Sequence, residues 1–117
     1  MSIKPLECYT ADTQADCLRI EISATRSLLL PLDQFVFAEL VSEDKEQKLR
    51  LVFATHEVSV FGHVLHRIET AMQRLELSGL MKLPDKYHAL VAENQPKIRD
   101  IVVTESKPAN QTAAALN

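Results

Sequence analysis

The order of apolar and polar positions divides this chain into short elements. Leu18, Ile20 and Ile22 alternate with Arg19, Glu21 and Ser23, which sets one apolar and one polar face on a half-buried strand. Residues 1–16 before it carry no comparable pattern. Residues 28–32 are apolar but interrupted by Pro31, which has no N–H for a ladder, so they read as an edge segment or a connection. The run Phe35-Val36-Phe37-Ala38-Glu39-Leu40-Val41 is apolar on both faces and rich in aromatic and branched side chains, and it predicts a central strand. A helix starting after Pro31, with Asp33 in its first turn, is the alternative.

The polar stretch 42–47 predicts a hairpin loop, longer than a two-residue turn because it contains neither Asn-Gly nor Asp-Gly. Beyond it, Leu49, Leu51 and Phe53 occupy odd positions, whereas Val58 and Val60 occupy even ones. Side chains along a strand repeat every second residue, so this change of parity demands a break, and Thr55-His56-Glu57 supplies it as a turn or a bulge. Gly62 then separates strand from helix. Within 63–77, Val64, Leu65, Ile68, Ala71, Met72 and Leu75 recur at spacings of three and four, the mark of an amphipathic helix. Ser78-Gly79 ends it, with Gly79 suited to the left-handed position past a helix C-terminus. Leu80 to Leu83 predicts a short strand before Pro84, 84–93 one or two helical turns, and 98–104 a last strand.

The sum is an α+β fold: a small antiparallel or mixed β-sheet of about four to five strands, with one main amphipathic helix, 63–77, packed on it. Residues 1–104 make a single domain in this reading. Residues 105–117 are small and polar, with Leu116 their one large apolar side chain, and are expected to form a flexible C-terminal tail.

Composition narrows the partners. A chain of 117 residues with 46% hydrophobic and 25% charged residues suits one globular domain with its own core. The net charge of −3, with both signs interleaved, offers no basic stripe, so no nucleic-acid partner is expected. No stretch approaches the roughly 18 apolar residues of a membrane span. Met1-Ser2-Ile3-Lys4-Pro5 lacks the apolar run of a secretory signal. A cytoplasmic location is therefore expected, with Cys8 and Cys17 as free thiols rather than a disulfide.

Candidate chemistry is sparse. With only two glycines, Gly62 and Gly79, neither the P-loop nor the dinucleotide-binding fingerprint is present. There is no Cys-x-x-Cys pair, and no cofactor is expected. His56, His63 and His66 are weak metal candidates, with Glu57 and Glu69 close in sequence. His63 and His66, three apart on the expected helix, would share a face, but that face lies opposite the apolar stripe, where solvated histidines are the ordinary outcome. His56-Glu57 begins a zincin motif that fails because Val60 stands where its second histidine belongs. No metal is expected. Cys8 or Cys17 with a histidine would make a nucleophilic pair, yet no local signature supports one, and Cys17 beside a strand reads as core filling. Glu39, a lone charge in the 35–41 run, is either a buried acid or an edge-facing charge that discourages aggregation, and the second reading is favoured.

These observations lean away from catalysis and point to a non-catalytic protein-interaction or assembly module whose partner is another protein or itself, most simply as a homodimer. The alternative is a small enzyme or ligand-binding protein whose site converges from Cys, His and Glu residues distant in the sequence.

Overall fold

A computed structural model describes residues 7–106. Its strands are β1 (Tyr9–Ala11), β2 (Cys17–Ser23), β3 (Arg26–Pro31), β4 (Phe35–Ser42), β5 (Gln47–Phe53), β6 (His56–His63), β7 (Leu77–Met81) and β8 (Lys97–Glu105). The α-helix α1 (His66–Gln73) joins β6 to β7, and short 3-10 turns occupy Leu32–Gln34 and Asp85–Leu90. The class is α+β.

The strands form two four-stranded sheets rather than the single sheet expected, ordered β1-β7-β2-β3 and β4-β5-β6-β8. The division falls at Pro31. It ends β3, and the chain turns through Leu32–Gln34 into the second sheet. The first sheet is mixed, because β7 runs antiparallel to β1 but parallel to β2. The second is wholly antiparallel. One apolar core serves both: Leu18, Ile20 and Leu80 from the first sheet meet Leu49, Leu51 and Ile98 from the second, with Ile68 and Met72 of α1. Among the described residues no polar or charged side chain is fully buried, and no helix is long and apolar enough to cross a membrane.

Local patterns explain most elements. Leu18 and Ile20 of β2 are buried, and β3 lies at a sheet edge, where a strand ending in proline is tolerated. The parity change becomes the β5–β6 hairpin, with a bend at Ala54-Thr55 and with Leu49 opposite Val60 and Leu51 opposite Val58 on the buried face. The polar 42–47 stretch closes the β4–β5 hairpin, with Ser42 and Gln47 as the last strand pair and 43–46 as the loop.

Three expectations are corrected. The run 35–41 is a strand, but β4 lies at the edge of its sheet, not at the centre. The helix spans 66–73, not 63–77. Of the residues at three-and-four spacing, Ile68, Ala71 and Met72 lie in α1, Leu65 is its N-cap, and Val64 and Leu75 take positive φ outside it, while β6 continues through Gly62 to His63 and β7 begins at Leu77. Gly79 is likewise a β7 residue and not a helix terminator.

The end of α1 has its own logic. The Glu76 N–H donates to the Ala71 carbonyl and the Leu75 N–H to that of Met72, both at 2.9 Å, a Schellman closure with Leu75 at the left-handed position. Its φ is 55°. Leu75 is 46% exposed and gives up little packing if removed. Leu75→Gly should therefore raise stability by about 0.5–1 kcal/mol, read as a higher urea midpoint at unchanged slope. A lower midpoint would mean that the leucine contributes more by contact than its backbone geometry costs.

Of the expected tail, Glu105 is the last residue of β8, and the Ser106 N–H donates to the Thr55 carbonyl at 2.8 Å. Residues 107–117 lie outside the described residues, as do 1–6 of the expected single domain.

Candidate functional site

The histidines occupy different parts of the fold. His56 opens β6, half-buried, with Nδ1 2.7 Å from the Thr55 hydroxyl. His63 closes the same strand, about 23 Å further along at ordinary strand rise. It belongs to the strand and not to the helix, so the shared face expected for His63 and His66 does not exist. His66 is the exposed first residue of α1. Among the described residues no three His, Cys, Asp or Glu side chains gather as a metal site would require.

The cysteines are equally separate. Cys8 is buried, and its sulfur accepts the Ile98 N–H at 3.3 Å. Burial pushes its thiol up, partly offset by that hydrogen bond, which is the reverse of nucleophile activation. Cys17 is exposed at the start of β2. A small recess of about 130 Å³ holds Glu7, Cys8 and Glu21, whereas His66 lines another depression with Glu76, so neither joins a cysteine to a histidine. A thiol reagent applied to the native protein should titrate one cysteine quickly and the second only on unfolding. Two rapid equivalents would mean that Cys8 is not held in the core.

The surface that draws together unusual features is β4 and what lies beside it. Alternation along this strand sends Ala38 and Leu40 inward, opposite buried Leu51 and Leu49, and sends Phe37, Glu39 and Val41 outward. A register shift between Phe35 and Phe37 keeps Phe35 inward as well, edge-on to Phe53 with ring centroids 5.6 Å apart. Val36 stands at this bulge, 61% exposed, with Phe37 at 44% and Val41 at 37%.

On the outer face, Arg50 of β5 is the organising side chain. Its Nε donates to Glu57 at 2.7 Å and its Nη1 to Glu39 at 3.2 Å, and the guanidinium lies 5.3 Å from the Phe37 ring centroid. Hydrogen bonds to Glu57 and then Glu39 raise the affinity of Arg50 for its proton. Glu39 is thus an exposed charge on an edge strand, tied down by a cation of its own chain. Further across, Phe61 lies beneath Lys48 and Arg99, and Arg99 forms a two-pronged pair with Glu46 at 2.6 and 3.0 Å. That pairing holds the Glu46 carboxyl below its ordinary range.

On the inner side, a groove of about 400 Å³ runs between β4 and α1, floored by Phe35, Ala38 and Met72 and rimmed by Glu69 and Gln73. The helix is fixed beside it because the Gln47 side chain of β5 accepts the Leu65 N–H at 2.8 Å. Arg50 and the groove lie outside what the sequence shows, since they depend on which strand neighbours which, whereas Met72 already stands in the apolar stripe of the expected helix. The signal present was Glu39, a charge that an edge strand tolerates and a central one does not.

Another depression, of about 630 Å³, opens between the β2–β3 turn and the chain after β7, beside Glu21, Lys82 and Arg99. Lys82 lies 3.7 Å from Asp100, and Arg99 is held by Glu46, so both cations already face carboxylates.

No protein-family model matches this chain, no curated protein is significantly similar to it, and no solved structure matches its fold.

Proposed function

We propose that the protein is a non-catalytic interaction or assembly module that works as a homo-oligomer, most simply a dimer. One observation carries this reading: three of the exposed large apolar side chains, Val36, Phe37 and Val41, sit on one strand, and that strand is a sheet edge. An apolar edge is a template for another strand unless something blunts it. The single charge on β4, Glu39, is drawn back onto Arg50 instead of guarding the edge. The scatter of the histidines and cysteines, and the raised thiol of Cys8, favour this reading over an enzyme whose site converges from them.

Assembly couples stability to protein concentration, because association removes folded chains from the unfolding equilibrium. Thermal melts over roughly a hundredfold range of concentration should show the midpoint rising by several degrees. A midpoint independent of concentration would count against self-association.

A further inference from the structure

We infer that β4 pairs with the β4 of a second copy, antiparallel about a two-fold axis, joining the four-stranded β4-β5-β6-β8 sheet of each copy into one continuous sheet. This rests on the assembly reading above and names its seam. The other edges are less suited. β1 has three residues, and β3 ends in Pro31. On β8 the Ile98 carbonyl accepts the Leu83 N–H at 3.1 Å. β4 offers eight residues without proline or lysine. An antiparallel edge is self-complementary under a two-fold axis, since the donors and acceptors of one copy meet the acceptors and donors of the other.

Charge and shape fix the register. With the axis at Ala38, each Glu39 lies opposite Phe37 of the other copy, and Val36 lies opposite Leu40. Shifting the axis to Glu39 would set two carboxylates directly across from each other, a destabilising arrangement. The axis at Ala38 avoids this and leaves each Glu39 on its own Arg50. The two-fold keeps both inner faces on the same side. Ala38 and Leu40 of each copy therefore meet over the paired grooves floored by Phe35 and Met72. Eight residues of strand run about 26 Å. A sheet with its side chains is about 10 Å thick, so the seam is a small one, below the roughly 1,000 Å² that a stable specific interface clears. The dimer is accordingly weak and concentration-dependent.

The test uses the full chain. Val36→Lys places a charge at an exposed position of the seam, where the monomer fold tolerates it, and should weaken dimerisation by about tenfold or more. Val102→Lys, on the opposite edge strand at 43% exposure, should leave it unchanged. Ala38→Cys in a Cys17→Ser background brings two sulfurs together at the axis and should give a disulfide-linked dimer under mild oxidation. A dimer that survives Val36→Lys and forms no Ala38→Cys cross-link overturns the seam while leaving the assembly reading intact. A chain that stays monomeric at every concentration overturns both.

Discussion

Gly62→Ala is expected to cost about 4 kcal/mol or more, enough to unfold a protein of ordinary stability. Gly62 lies at the register shift where β6 meets β8, paired with Ile98. A methyl group there would stand 1.9 Å from the Lys97 carbonyl oxygen and 3.1 Å from the Ile98 Cα. Both are backbone atoms of the neighbouring strand, so relief requires prying β8 away along with Ile98 and Ile101, which are core residues. Gly79→Ala provides the contrast. Its nearest obstacle is the Thr10 hydroxyl at 2.6 Å, a side-chain atom that can rotate away at the loss of its 2.9 Å bond to Ser78. A loss of about 1–2 kcal/mol is expected there. Urea titrations of the two variants check this, and equal losses would show that the β6–β8 register is misassigned.

Ile68→Ala should cost about 2–5 kcal/mol, and His66→Ala no more than about 0.5 kcal/mol. Ile68, on α1, is fully buried in the core shared with the sheets, and truncation leaves a cavity that the surrounding strands cannot close. His66 is exposed, and it is its backbone carbonyl, not the imidazole, that accepts the Thr70 hydroxyl at 3.0 Å. The pair of variants reads the orientation of α1 directly. Comparable losses in denaturant would mean that the helix presents another face to the core.

Elements whose side chains obey a local rule were legible without coordinates. The alternation at 18–22 became β2. The parity break expected at 55–57 is a hairpin bend at Ala54-Thr55, with His56 and Glu57 already in β6, and Val58 and Val60 face Leu51 and Leu49. The β-branched run 98–104 became β8. What escaped depends on distant partners. Residues 1–16 looked unpatterned because β1 is short and its register partner, β7, lies nearly 70 residues on. The spacing of 63–77 overstated the helix because Val64 and Leu75 adopt positive φ, at 57° and 55°, a backbone state that branched and bulky residues rarely take and that no apolar periodicity reveals. Most consequential was 35–41. Apolar residues on both faces predict burial at the centre of a sheet, whereas the outward set of Phe37 and Val41 is exposed on an edge. A sequence records that a face is apolar, not what covers it. The candidate histidines illustrate the same limit, since His63 and His66 are three apart in number but belong to different elements.

Sedimentation equilibrium on the full chain tests the central claim most directly. Self-association through an interface of modest area predicts a weight-average mass that climbs toward twice the 13.2 kDa chain mass at micromolar concentration and returns to the single-chain value on dilution. A single species at 13.2 kDa across the whole range would contradict it.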